Sequence, residues 1–443
     1  MGTRTSIIAG FAGASLLACL PASFDHFAEV APVTTVGVQF PGQPSARIAV
    51  ALTVEADDEG RGRVLFSDGD AAIGWYQIDE RSGTQRFASF EELTQLATYE
   101  QPTLTGLAVV EGALVAEALV RVAAGEDSPD RVVRVRIADF TRPSEPALDM
   151  VVYPWIADPS PTLTGPLAVV QLDDGLPEAL SGSSEGLIIW DALGTRAGDY
   201  AQARELLLGD DPAAFDDDPS QAYGLTRCPD LNPSAIAGGR LLADRRRAAV
   251  VLHGASLSFV GVGVGAGVEQ ASSQSAVGAP IYACELATLE LPGQASVLAV
   301  VDLESDGDDD LLVGAPASDE VWVFENHGDG LANPPTMMLA SDEPGGFGSS
   351  IARVQLGGEA PDVIVVGAPM TRVDGKANVG RVYVYDARDG ELLRTITDLE
   401  PRTDSRHGLG VHGLDIPGRE ELVVSGAREL RIHWTTLAND PGP

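Results

Sequence analysis

Pro102-Thr-Leu-Thr-Gly-Leu-Ala-Val-Val110 returns, with one inserted residue, as Pro161-Thr-Leu-Thr-Gly-Pro-Leu-Ala-Val-Val170. A stretch copied at an offset of roughly 60 residues commits the chain to repeat architecture, since units of this size bury their apolar faces only by stacking on neighbours. Applied along the chain, that period finds seven units. Each has a first strand, an acidic or glycine-bearing loop, a second apolar strand ending near glycine, and a third strand rich in aromatics. The first strands fall at Arg47–Val54, Gly106–Val110, Leu167–Leu172, Ala235–Leu242, Val297–Leu303, Ile351–Leu356 and Gly410–Ile416. The second strands run from Val64–Phe66 to Leu422–Val424 and the third from Ile73–Ile78 to Leu430–Trp434; the second and fourth units fit least well.

Short meanders stacked radially cover both faces of every sheet and leave only short edges. Continuous apolar runs such as Val363-Ile-Val-Val366 suit strands covered on both sides. The expected fold is therefore all-β, a seven-bladed β-propeller of four-stranded antiparallel blades over residues 31–435, with 436–443 as a tail. Trp190, Trp322, Phe324, Tyr383, Tyr385 and Trp434 recur in third strands and are read as packing between blades. The seventh unit lacks a fourth strand of its own. The run Thr34-Thr-Val-Gly-Val-Gln-Phe40 is expected to supply it and so close the ring. Helical patterning is confined to Phe90–Leu96 and Tyr200–Leu208.

Between the first and second strands of the fifth unit lies Asp302-Leu-Glu-Ser-Asp-Gly-Asp-Asp-Asp310. Oxygen-bearing side chains stand at Asp302, Glu304, Asp306 and Asp310, with Gly307 where the loop turns sharply. Calcium takes six to eight oxygens, and loops of this kind supply them, one through a backbone carbonyl, here that of Asp308. The apolar run Leu311 to Pro316 then reads as a strand leaving the loop and stopping at a turn.

Phe347-Gly-Ser-Ser350 followed by Val365-Val-Gly-Ala-Pro369 resembles the FG-GAP repeat of integrin alpha-chain propellers. Asp302–Asp310 with Val313-Gly-Ala-Pro316 resembles the same repeat with its calcium loop, and His407-Gly408 with Ser425-Gly-Ala427 does so more loosely. The match is specific over about residues 295–434 and rests on period and strand pattern over 45–260. The resemblance implies a seven-bladed propeller with calcium held by Asp302, Glu304, Asp306, Asp308 and Asp310. Glu304 stands where the family has Asp or Asn. Gln355–Asp362, Asp415–Glu421 and Asp173–Gly175 keep a loop without the ligands, so one calcium site is expected.

The formal net charge of −36, with Lys376 the only lysine, disfavours nucleic acid and anionic headgroups as partners. Residues 1–18, with Arg4 and an apolar run from Ile7 to Leu17, are too short to span a bilayer and read as a signal peptide. Leu16-Leu17-Ala18-Cys19 resembles a bacterial lipobox, which implies lipidation at Cys19, a linker over 19–30 and an extracytoplasmic domain. The alternative is an ordinary cleaved signal. Leu20 is not the aspartate that retains lipoproteins in the inner membrane, which leans towards the outer membrane or cell surface. In that compartment Cys228 and Cys284 are expected to form a disulfide stapling one repeat unit.

Catalytic patterns are sparse. Gly254-Ala-Ser-Leu-Ser258 lacks the last glycine of a nucleophile elbow. Gly261–Gly267 has no Lys-Ser/Thr to cradle phosphate, and Val277-Gly-Ala-Pro280 reads as part of an insertion. His253, His327, His407, His412 and His433 are scattered and read as structural. The expectation is a monomeric, non-enzymatic module for an unknown protein or glycan. The alternatives are a hydrolase or lyase with its site at the propeller channel, or a structural envelope component.

Overall fold

The computed structural model describes residues 33–40, 45–54, 62–68, 72–79, 82–89, 103–109, 116–122, 131–137, 149–153, 163–172, 177–184, 186–190, 195–197, 225–262, 273–274, 282–355, 362–398, 401–416 and 419–433. Among them the strands form seven antiparallel sheets, five of four strands and two of five. The fifth sheet is typical: Val297–Val301, Asp310–Ala315, Glu320–Phe324 and Met337–Ala340 pair in sequence order. The sixth repeats it with Ser350–Val354, Val363–Ala368, Arg381–Asp386 and Leu392–Thr397.

The first strands of consecutive sheets lie beside one another, from Val50–Val54 through Thr103–Val109, Leu163–Val170, Ala235–Gly239, Val297–Val301 and Ser350–Val354 to Gly410–Ile416. The last of these returns to lie beside Val50–Val54, so the neighbours make a closed circuit.

Side-chain alternation explains how the sheets cohere. Successive residues of a strand point to opposite faces. Leu311 and Val313 thus join the core shared with the fourth sheet, while Leu312 joins the core shared with the sixth. Likewise Ile364 and Val366 face the fifth sheet, whereas Val363 and Val365 face the seventh. All these side chains are fully buried. At ~25 cal/mol per Å² of apolar surface removed from water, such two-sided strands contribute the dominant favourable term of folding.

The first and last described strands meet as the alternation requires. Val33–Gly37 pairs antiparallel with Glu429–His433, Val36 facing Leu430 and Thr34 facing Ile432. The following segment crosses the seam, with the Val38 amide donating to the Arg428 carbonyl at 2.8 Å and the Ile48 amide to the Ala427 carbonyl at 3.0 Å. Val36, Val38, Phe40 and Ile48 share one core with Val64 and Phe66 of the first sheet and with Val423 and Leu430 of the seventh. The Phe40 and Phe66 rings meet edge to face, centroids 6.0 Å apart.

The duplicated motif is duplicated in structure. Both copies are first strands, and both break register, between Leu104 and Gly106 and between Leu163 and Leu167. Relative to its partner strand the first break carries one extra residue and the second two, a difference equal to the one residue inserted there as Pro166. A bulge is where a strand tolerates proline.

Two expectations about sheet composition need correction. Thr195–Ala197 adds a fifth strand beyond Asp149–Tyr153, and Ser273–Gln274 adds one beyond Leu225–Cys228. Both come from long connections, and edge strands accept pairing wherever a neighbouring segment reaches them. The fourth unit, a poor fit by spacing, is a regular sheet of Ala235–Gly239, Ala248–His253, Ser256–Val262 and Tyr282–Glu290. Its spacing is stretched by the insertion ahead of Tyr282. The stretches Phe90–Leu96, Tyr200–Leu208, 1–30, 173–176 and 434–443 lie outside the described residues.

Candidate functional site

The acidic loop joins the first and second strands of the fifth sheet, and its geometry follows from backbone amides that need acceptors. Asp302 accepts from the amides of Asp306 at 3.1 Å and Gly307 at 2.9 Å. Asp306 accepts from the amide of Asp308 at 2.9 Å. Ser305 and Gly307 take the left-handed conformation, with φ of 58° and 88°, so the chain curls round its own carboxylates.

Asp310 sits beneath this curl, fully buried. Its two oxygens accept from the amides of Leu303 at 2.7 Å and Asn326 at 2.8 Å, the latter from the loop after the third strand. Burial pushes its carboxyl up to about 7, against the pull of those two amides. Burial and then neighbouring Glu325 also raise Glu304. The ionised form of Asp310 has no cationic partner among the described residues. The Asp308 carboxylate turns instead to Arg245, whose Nε lies 3.0 Å away, and the Arg245 guanidinium also donates to the Asp306 carbonyl at 3.2 Å. Arg240 clamps the loop's far side through its own amide to Asp309 at 2.6 Å.

Of the five residues expected as ligands, the structure brings Glu304 and Asp306 together at the surface; Asp302 caps amides of the loop, Asp310 lies buried beneath it, and the Asp308 carboxylate faces Arg245. Sequence reading set His327 aside as structural. One ring nitrogen of His327 and one carboxylate oxygen each of Glu304 and Asp306 lie within 4.8 Å of one another, all exposed. The signal available was the His327-Gly-Asp-Gly330 turn, a second acidic loop at the same strand ends. By donor type the carboxylates suit an oxygen-seeking divalent cation: each carboxylate oxygen that accepts one amide keeps a second lone pair.

A second recurring feature lies at the other strand ends. The Phe347 and Gly345 amides donate to Asp319 Oδ1 at 2.8 and 3.1 Å. This seats the Phe347 ring edge-on to Tyr383 and Tyr385, with centroids 5.3 and 6.0 Å away. Trp190, Trp322 and Phe324 are likewise buried, and Trp434 lies outside the described residues. Next to Phe347, glycine meets glycine across sheets. A Cβ on Gly314 would lie 2.2 Å from the Gly348 carbonyl oxygen, and one on Gly367 would lie 2.1 Å from that of Gly408.

At the seventh sheet His407 takes the place that Phe347 holds in the sixth. It is buried 6.3 Å from His433, and neither of its ring nitrogens has a partner among the described residues. Burial, then His433 and Arg431, hold its pKa well below the usual value. Burial likewise lowers His412 and His433 to about 4, although His412 keeps a hydrogen bond to the Ala51 backbone across the seam. No catalytic partner accompanies them among the described residues. Arg431 is committed to Asp398 at 2.6 Å and Glu429 at 2.8 Å.

Cys228 and Cys284 are bonded to each other, with Cα atoms 5.4 Å apart. The bond does not staple one unit, as expected from sequence. Cys228 lies in the fourth strand of the third sheet and Cys284 in the fourth strand of the fourth, so it ties neighbouring sheets along their outer strands. Cys19 lies outside the described residues.

Fold and site together define an all-β repeat protein of antiparallel sheets with an acidic inter-strand loop. Comparison with known proteins adds a partial sequence likeness. Integrin alpha-3 of Cricetulus griseus and of Mus musculus are each 36% identical over 109 residues, 22% of this chain and 10% of theirs. Integrin alpha-5 of Xenopus laevis is 34% identical over 150 residues, 30% of this chain and 14% of its own. The chain thus spans about a tenth of the length of these relatives. No family model matches. Similar solved structures include BBS1N in complex with ARL6DN, 13% identical with a TM-score of 0.46, covering 91% of this chain and 99% of that one. The Cps50 (Swd1) β-propeller domain of Myceliophteria thermophila is 11% identical with a TM-score of 0.45, covering 89% and 100%.

Proposed function

We propose that this chain is a seven-bladed β-propeller that binds a protein or glycan outside the cytoplasm, with one calcium-stabilised loop and a lipid anchor at Cys19. The observation that carries the reading is the acidic loop set into a closed circuit of sheets, together with the partial likeness to integrin alpha chains. Asp302, Glu304, Asp306, the Asp308 carbonyl and Asp310 would hold the ion, with His327 at its rim. Bound there, it would supply positive charge that fixes the loop joining two strands of one blade; it takes part in no reaction. The anchor would hold the propeller at the outer membrane or cell surface, as a monomer.

The test is an array of proteins and glycans probed with the purified chain in calcium and again in chelator, beside the Asp306→Ala variant. The reading predicts ligands retained in calcium and weakened in both other conditions. Turnover of a hydrolase or lyase substrate panel, with no retained ligand, would favour the enzymatic alternative.

A further inference from the structure

A cavity of about 320 Å³ opens where the seventh sheet meets the segment crossing to the first. It is at the small end of ligand-site volumes, which run from about 300 to 1,000 Å³. Its walls come from three places: Arg47 from the crossing segment, Arg402, Thr403 and Asp404 from the connection entering the seventh sheet, and Arg428 and Glu429 from that sheet's hairpin. In a chain with 65 acidic and 29 basic residues, three arginines around one cavity stand out. Arg47 and Arg428 are exposed and make no ion pair among the described residues. Asp404 and Glu429 line the same cavity and offset part of that positive charge. Asp404 Oδ1 accepts from Asn378 at 2.8 Å, and Glu429 Oε1 accepts from Arg431.

We infer that this cavity binds an acidic sugar, one uronate residue of a glycan. The inference rests on the reading of the chain as a binding module and names the ligand's chemistry. Forked guanidiniums match a carboxylate with two parallel hydrogen bonds. The remaining oxygens of Asp404 and Glu429 suit ligand hydroxyls, which donate to them. The same two acids repel ligands dense in negative charge, such as phosphates or acidic peptides, so the partner of Arg47 and Arg428 is a single carboxylate on a hydroxyl-rich body. The cavity lies at the opposite strand ends from Asp302–Asp310. That loop joins first to second strands, whereas the cavity is built from a second-to-third hairpin and a connection between sheets. The two sites are therefore independent of each other.

The experiment is calorimetry of a galacturonate trisaccharide on the full-length protein, in chelator, beside Arg47→Ala/Arg428→Ala. The neutral galactose trisaccharide and a tetraglutamate peptide serve as controls. The expected result is binding of the galacturonate trisaccharide alone, weakened at least tenfold in the double variant, whose melting temperature without ligand is unchanged. Because the cavity spans the seam, the sugar should also raise the melting temperature of the wild type and not of the variant. The inference is overturned by no binding, by equal binding to wild type and variant, by galactose binding as well, or by tighter binding of the peptide. Loss of calcium binding at Asp306 leaves this result untouched, so the two failures are separable.

Discussion

At the residue scale the most informative substitution in the repeat is histidine for phenylalanine. His407 occupies the seat that Phe347 fills with an apolar ring, and it buries two ring nitrogens without partners among the described residues. Burying an unsatisfied polar group costs about 1–3 kcal/mol. His407→Phe should therefore stabilise the protein by about that amount, read as a shift in urea midpoint at unchanged slope. The sign with pH is fixed by linkage. The folded protein holds this imidazole neutral, while the unfolded chain takes up a proton below its ordinary value of 6.5. Stability from His407 is thus present above that pH and lost as pH falls, by about 1.4 kcal/mol per pH unit. The gap between variant and wild type should widen below pH 6.5. A constant gap would show that His407 is not kept neutral. Gly367 is the converse case: a Cβ there would strike the Gly408 carbonyl oxygen, so Gly367→Ala should lower stability by about 1–3 kcal/mol in the same assay.

At the scale of elements, sequence period and apolar alternation were enough to place the first three strands of every unit. Runs such as Leu311-Leu312-Val313 leave few other ways to be buried on both faces. The closing strand was also legible, because Val36 and Val38 needed a core and the last unit lacked an edge. Fourth strands were less legible. Met337–Ala340 exposes alternate residues, and the spacing before Tyr282–Glu290 is set by an insertion with no apolar signature. The fifth strands and the path of the Cys228–Cys284 bond depend on where long connections return, which local pattern does not encode. In the acidic loop, the nearness of Glu304 and Asp306 could be read from their spacing. His327 and Arg245 could not, because they arrive from other loops. The closure gives its own prediction: removing residues 30–40 strips the partners of Leu430 and Ile432 and should abolish cooperative unfolding at the wild-type temperature. An unchanged melting curve in circular dichroism would contradict it.

At the scale of the whole molecule, each sheet has two neighbours round the circuit, and among the described residues cores fill the spaces from the third sheet round through the seventh to the first. Stability is then shared round the circuit, and loops at strand ends are free to carry ligands without disturbing the packing. The acidic loop is the one for which we propose such a task. Asp310 lies buried and raised to about 7 beneath Asp302, Glu304 and Asp306, an arrangement that a divalent cation would relieve. The most direct test is a calorimetric titration of calcium into residues 20–443 beside the Asp306→Ala variant. The account predicts one equivalent bound by the wild type, lost in the variant, with a higher melting temperature when calcium is present. No heat of binding at millimolar calcium, or the same heat in both proteins, would contradict it.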